Sequence, residues 1–183
     1  MLDLRPRPLP LVSWNTESEK FEINPEARRA ARNIKGPVGV LAVAGAYRTG
    51  KSYLLNRVLL NAQNGQGFGV GPSINPCTKG LWMWSTPLVG YSEKGEKMNV
   101  IVVDTEGIGG LDEDQNHDVR IFSLALLLSS FFVYNSMGSI DENALSSLSF
   151  VTNISKHIKV KTSDSINESD LLETPPEMRA DIA

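Results

Sequence analysis

Several features that define other classes of protein are scarce or missing in this sequence. Its 183 residues include one cysteine, Cys77, so no intramolecular disulfide can form, and the N-terminus has no apolar signal segment. The formal net charge of −3 gives no excess of the basic residues that bind a phosphate backbone. These absences predict a cytoplasmic protein that does not bind nucleic acid.

Common metal and membrane patterns are also missing. The two histidines, His117 and His157, form no cluster with the cysteine, so zinc is not indicated. We expect His117 in a polar loop and neither histidine in catalysis. The most apolar stretch, residues 121–133, is interrupted by serines and is shorter than the roughly 20 residues of a spanning helix. We therefore expect no transmembrane segment and assign this stretch to the core.

A continuous apolar segment leads into a glycine-rich pattern. Residues 38–44 are apolar without alternation, which is typical of a central parallel strand buried on both faces. The residues that follow fit the pattern G-x-x-x-x-G-K-[ST], and they read Gly45-Ala46-Tyr47-Arg48-Thr49-Gly50-Lys51-Ser52. The backbone N–H groups of such a loop surround phosphate oxygens, while Lys51 supplies a positive charge and Ser52 a hydroxyl for Mg²⁺. This segment predicts a site for a nucleoside triphosphate.

A second motif, Asp104-Thr105-Glu106-Gly107, follows the apolar strand 100–103. At that place Asp104 can support Mg²⁺, and the N–H of Gly107 can meet the γ-phosphate. Thr78, in the long loop before the strand that starts at Leu81, is a candidate second hydroxyl ligand. Each has an ordinary alternative, because Asp-x-x-Gly is common in turns and Thr78 is one of several polar loop residues.

Hydrolysis needs a group that stabilises the transition state. Ile108 stands where Ras-like GTPases keep a glutamine that orients water, and isoleucine has no group for that task. Arg48, inside the glycine-rich loop, is placed so that its guanidinium could reach the phosphates as an arginine finger supplied in cis. The alternative is an ordinary solvated loop arginine.

The remaining pattern predicts an α/β fold: a P-loop NTPase three-layer fold with a mostly parallel sheet. We expect strands and a helix over residues 1–36, the P-loop core over 37–158, and a disordered tail over 159–183. The predicted elements are strands 9–12 and 20–23 in a hairpin, a helix from Pro25, strands 81–86 and 98–104 in a second hairpin, a helix over 119–128, a strand over 131–134 and an amphipathic helix over 141–158.

Several segments resemble the guanylate-binding protein family, within the dynamin superfamily. They lie in the family's order over residues 38–158, and they are Gly45-Ala46-Tyr47-Arg48-Thr49-Gly50-Lys51-Ser52-Tyr53-Leu54-Leu55-Asn56, Pro76-Cys77-Thr78-Lys79-Gly80-Leu81-Trp82-Met83-Trp84, Asp104-Thr105-Glu106-Gly107 and Leu127-Leu128-Ser129-Ser130-Phe131-Phe132-Val133-Tyr134-Asn135-Ser136. Tyr-Arg-Thr inside the loop is far more specific than a generic P-loop.

The resemblance implies a large GTPase whose G domains pair head to head on binding GTP, with Arg48 as the finger. It implies that Ser52 and Thr78 ligate Mg²⁺ with support from Asp104. Glu106 would organise the site in the triphosphate state, and Arg48, Lys51, Thr78 and Glu106 would form the catalytic group. The nucleotide-binding set would be residues 45–53 with Thr78, Asp104 and Gly107.

The sequence departs from the animal pattern of the family in two places. Pro76-Cys77-Thr78-Lys79-Gly80 stands where Ser-His-Thr-Lys-Gly is usual, and this version is similar to the plant or protist branch. The Thr-x-Arg-Asp motif that reads guanine does not occur, so we expect a G domain that lacks its C-terminal part. Alternatives are an assembly module that holds nucleotide with little hydrolysis, and an ATP-using P-loop kinase, which the lack of a recognisable lid disfavours.

Overall fold

A computed structural model describes residues 5–15, 17–62, 66–70, 80–107 and 115–138, with the single positions 142, 145 and 149. Thr78, Ile108 and the predicted tail over 159–183 lie outside them, as does the predicted helix over 141–158 apart from the single positions.

In the described part of the chain, seven strands form one sheet in the order β2-β1-β4-β6-β3-β7, with β5 also paired to β6. The strands are β1 Pro8–Asn15, β2 Lys20–Ile23, β3 Val38–Gly45, β4 Leu81–Trp84, β5 Leu88–Tyr91, β6 Lys97–Thr105 and β7 Phe131–Asn135. Both predicted hairpins form: β1 pairs antiparallel with β2, and the arm made of β4 and β5 runs antiparallel to β6. The predicted strands are therefore present, and a strand that was not predicted, β5, lies between β4 and the turn into β6.

The α/β fold class is confirmed, but the described sheet is mixed rather than mostly parallel. Strand β3 lies parallel to both β6 and β7, while β1 pairs antiparallel with β2 and β4. The β1–β2 and β5–β6 pairs are antiparallel because a short turn reverses the chain between the two strands of each pair. The parallel centre is the part that carries the glycine-rich loop.

Three helices with described bounds accompany the sheet. Helix α1, Pro25–Arg32, begins after Asn24, whose side chain accepts hydrogen bonds from the N–H groups of Glu26 and Ala27 at 2.8 and 3.2 Å. Helix α2, Lys51–Leu54, continues as a π-helical segment over Leu55–Leu59. Helix α3 spans Gln115–Leu128. No helix in the described part of the chain is long and apolar enough to cross a bilayer.

Helix α3 begins earlier than predicted, so His117 lies in a helix and the loop assignment for it was wrong. The residues before Val119 are polar, and polarity there resembles a loop in the sequence. Polar side chains are equally suited to the first turn of a helix, where backbone N–H groups need partners.

The core has a cluster on each face of the sheet. Ala42 and Val103 face Ile121 and Ala125 of α3, whereas the next residue of β3, Val43, belongs to the cluster with Leu55 after α2. Alternation along β3 thus buries both faces, as the unbroken apolar run predicted. The result is a three-layer arrangement, and it brings the C-terminal ends of β3 and β6 together beneath the start of α2.

Candidate functional site

The loop between β3 and α2 has the backbone conformation that its glycines permit. Gly50, which precedes the first residue of α2, has a φ of 86°, and no side chain caps the helix there. Arg48 adopts a φ of 60°, which is uncommon for a residue with a side chain. The loop therefore presents uncapped N–H groups at a helix start, the arrangement that binds phosphate.

Lys51 lies under this loop. It is 6 % exposed, and its Nζ donates a hydrogen bond to the carbonyl oxygen of Ala46 at 2.9 Å. Burial lowers the pKa of the Lys51 ammonium, against the opposing effect of the Asp104 and Glu106 carboxylates. A buried cation at this loop can interact strongly with an anion placed there.

Ser52 and Asp104 meet at the junction of α2 and β6. The Ser52 hydroxyl donates to Oδ2 of Asp104 at 2.6 Å, and Asp104 is fully buried at the end of β6. A hydroxyl and a carboxylate are both hard oxygen donors, which is the ligand chemistry that Mg²⁺ prefers. The two side chains that the sequence assigned to Mg²⁺ within the described residues therefore fit that ion.

Gly107 lies directly against the glycine-rich loop. A Cβ atom at Gly107 would lie 2.3 Å from Cα of Tyr47, closer than any real contact. Only glycine allows the backbone after β6 to approach the loop this closely. The contact fixes the distance between the two motifs.

Glu106 is held from two sides. It is 3 % exposed, its Oε2 accepts a hydrogen bond from the N–H of Gly80 at 2.8 Å, and its Oε1 contacts Nε2 of His117. The N–H of Glu106 in turn donates to the carbonyl oxygen of Gly80 at 3.0 Å. Glu106 thus connects the end of β6 to the start of β4 and to α3.

Asn135, at the end of β7, braces the loop from the other side. Its Nδ2 donates to the backbone oxygen and to Oγ1 of Thr49 at 2.9 and 3.1 Å, and the Thr49 hydroxyl donates to the Ala46 oxygen at 2.9 Å. A Cβ atom at Gly45 would lie 2.0 Å from the carbonyl oxygen of Asn135. The loop is therefore packed tightly against β7.

The remaining predicted residues differ in their surroundings. Arg48 is an exposed residue of the glycine-rich loop. Tyr53 is also exposed, with 57 % of its surface accessible. The structure thus brings together residues 45–52, Asp104, Glu106 and Gly107. Thr78 lies outside the described residues, so its role stays a prediction.

Two residues of this region were not found from the sequence. His117 contacts Glu106, and Asn135 contacts Thr49, although neither stood out in the pattern. Asn135 lies in a segment that carried the family resemblance, which was the one signal for it. His117 gave no signal, because its partner is set by the packing of α3 against the sheet.

Comparisons with known proteins place the chain in one family. The family model described as guanylate-binding protein, N-terminal domain, matches residues 18–178. Guanylate-binding protein 2 from Homo sapiens is 42 % identical over 166 residues, which is 90 % of this chain and 27 % of that protein. Guanylate-binding protein 5 from Mus musculus is 39 % identical over 166 residues, again 90 % of this chain and 27 % of the relative.

A third relative, guanylate-binding protein 1 from Chlorocebus aethiops, is 40 % identical over 162 residues, 88 % of this chain and 26 % of that protein. The chain therefore spans about a quarter of the length of the curated relatives it matches.

Proposed function

Since the chain belongs to the guanylate-binding protein family, we propose that it binds GTP and hydrolyses it with Mg²⁺. The observation that carries the proposal is the buried group formed by Lys51, Ser52 and Asp104 beneath the loop. An isolated P-loop pattern can arise by chance in a strand-to-helix turn. Here the turn also has a buried ammonium that can bind phosphate and a hydroxyl–carboxylate pair that can bind Mg²⁺, and these groups support a nucleotide site.

Phosphate binding rests on this chain's own groups. The N–H groups at the start of α2 and the Lys51 ammonium surround the β- and γ-phosphates. On nucleotide binding, the Lys51 ammonium exchanges its hydrogen bond to the Ala46 oxygen for one to a phosphate oxygen. The exchange gives the buried positive charge a negatively charged partner. The contact between Gly107 and Tyr47 sets the distance from the loop to the N–H of Gly107.

Ser52 and Thr78 would hold Mg²⁺, and Asp104 would support it through its carboxylate. When bound, Mg²⁺ neutralises charge that develops on the transferring phosphoryl group. The Ser52–Asp104 hydrogen bond holds the hydroxyl in a fixed orientation before any ion arrives.

Arg48 acts in hydrolysis rather than in binding. Its exposed position and left-handed backbone leave its guanidinium able to turn toward the nucleotide, where it would stabilise transition-state charge. Glu106 organises the site through its bond to Gly80. We further propose that GTP promotes pairing of two G domains and that the protein acts in the cytoplasm.

Calorimetric titration of the 183-residue chain with GTP, ATP and GDP in Mg²⁺ tests the base and the site together. The expected result is saturable GTP binding that ATP does not match and that Ser52→Ala weakens only when Mg²⁺ is present. Arg57→Ala is the matched control, because Arg57 is exposed on the same helical segment. Equal affinity for ATP and GTP would contradict a guanine preference of this chain, in which the Thr-x-Arg-Asp motif does not occur, and would favour an ATP-using P-loop enzyme.

One alternative has an observation in its favour. Pro76-Cys77 replaces the Ser-His pair that is usual before the threonine in this family, so a group that helps to position water is missing. The chain would then be an assembly module that binds GTP and pairs without useful hydrolysis. Binding of GTP with no phosphate release in a single-turnover assay would support this alternative.

A further inference from the structure

His117 and Glu106 make a contact that the proposed reaction does not yet use. Nε2 of His117 meets Oε1 of Glu106, while the other carboxylate oxygen accepts from Gly80. A carboxylate oxygen only accepts hydrogen bonds, so the imidazole N–H is the donor. The two bonds together fix the plane of the Glu106 carboxylate.

The imidazole is itself held by the N-terminal hairpin. Its ring lies 5.7 Å from the ring of Phe21 and 6.0 Å from that of Trp14, and these two aromatic rings meet edge to face at 5.0 Å. Arg120, one turn further along α3, stacks over Trp14 with its guanidinium carbon 5.7 Å from the ring centre. The aromatic pair of β1 and β2 thus packs against the imidazole.

The position of the Glu106 carboxylate has chemical consequences. It is almost completely buried, where an ionised carboxylate is costly unless hydrogen bonds satisfy both oxygens. Its charge also acts on Lys51, so a change in its position changes the field at the phosphate site. A residue that fixes this carboxylate therefore acts on the reaction without touching the nucleotide.

We propose that His117 is a positioning residue for GTP hydrolysis and that Trp14 and Phe21 hold it in place. This inference rests on the proposed GTPase function. His117 would orient the Glu106 carboxylate through one hydrogen bond, without touching the nucleotide. In metal sites, the loss of a comparable orienting hydrogen bond lowers activity by about 10- to 100-fold. The hairpin of β1 and β2 would then affect hydrolysis through its contacts with His117, which in turn positions Glu106.

Two substitutions separate hydrogen bonding from packing. His117→Phe keeps an aromatic ring against Trp14 and Phe21 but removes the donor, whereas His117→Gln keeps an N–H donor on a side chain of similar reach. We expect His117→Phe to lower the single-turnover rate of GTP hydrolysis about tenfold or more with the Kd for GTP unchanged. We expect His117→Gln to recover most of the rate.

A hydrolysis rate for His117→Phe equal to wild type, or equal losses in both variants, would overturn the proposal. A second readout does not depend on hydrolysis: the amide proton resonance of Gly80, which donates to Glu106, should move in His117→Phe and return in His117→Gln in the nucleotide-free protein. An unmoved resonance also overturns the positioning role. If wild type neither binds nor hydrolyses GTP, the proposed function fails, while the Gly80 resonance still decides whether His117 positions Glu106.

Discussion

In the proposed function, Lys51 is the side chain on which nucleotide binding depends most. Its ammonium is buried, and the loop oxygen of Ala46 is its hydrogen-bond acceptor at 2.9 Å. We predict that Lys51→Met abolishes GTP binding, because methionine keeps the buried aliphatic stem but removes the charge. Titration calorimetry measures the loss, and a circular dichroism spectrum like that of wild type shows that the variant is folded. Unchanged GTP affinity would refute the binding role.

Replacing Arg48 should have two separate effects, one on the rate of hydrolysis and one on stability. Removing its guanidinium should slow hydrolysis by roughly 10³-fold or more while GTP binding persists. Its φ of 60° should also make Arg48→Gly more stable than Arg48→Ala by about 1 kcal/mol, since glycine adopts this conformation without strain.

Single-turnover rates and denaturant unfolding of the two variants measure both effects. The rates should be equally low in Arg48→Gly and Arg48→Ala, and a rate close to wild type in either one would reject the finger. Arg57→Ala serves as the control for loss of an exposed arginine, and it should alter neither quantity.

The sequence alone was enough to predict which residues lie together where their positions follow from local spacing. Lys51 and Ser52 are neighbours in the pattern that a phosphate-binding loop requires. Asp104 directly follows the apolar run over 100–103, which predicts a strand. The contact from His117 to Glu106 could not be predicted, because the angle of α3 decides it. The bond from Asn135 to Thr49 joins residues 86 positions apart and needed the sheet order.

At the scale of elements, the junction between β6 and the glycine-rich loop depends on one glycine. We predict that Gly107→Ala weakens GTP binding, because its methyl group would overlap Cα of Tyr47 and displace the loop. Gly95→Ala is the matched control: Gly95 has a φ of 78° in the turn before β6 and open space around it. That change should lower stability by about 1 kcal/mol and leave GTP affinity unaltered. Equal GTP affinities in the two variants would contradict the account of Gly107.

The segment after α2 is fastened to the chain that follows it. The Asn56 amide donates to the carbonyl oxygen of Phe68 at 2.9 Å and accepts from its N–H at 2.8 Å, in a buried site. Asn56→Ala leaves both backbone groups without these bonds, so we predict a loss of about 3 kcal/mol in the free energy of unfolding. Denaturant unfolding of Asn56→Ala and of the control Arg57→Ala measures this loss. Equally small losses in the two variants would show that the Asn56–Phe68 hydrogen bonds contribute little to stability.

The elements themselves were largely predictable. The unbroken apolar run over 38–44 gave β3, and the Asn24-Pro25 pair marked the start of α1 because it supplies a cap and a fixed φ. The start of α3 and the share of antiparallel pairing were not predicted correctly. A polar first turn resembles a loop, and strand direction depends on connections that a local pattern does not describe.

At the scale of the whole molecule, the site lies where two parallel strands end on the same edge of the sheet. Strand β3 leads into the loop and β6 leads into the acidic motif, and their parallel pairing from Val38 with Asn99 to Val43 with Asp104 brings both ends together. Open α/β sheets bind ligands at such an edge. Family membership and sheet geometry therefore point to the same place.

Single-turnover hydrolysis of GTP by the 183-residue chain tests the central claim most directly. Wild type should release phosphate in Mg²⁺ and none when EDTA replaces it, and Lys51→Met should release none under either condition. Phosphate release that is equal in wild type and Lys51→Met, or equal with and without Mg²⁺, would contradict a Mg²⁺-dependent GTPase site built on this loop.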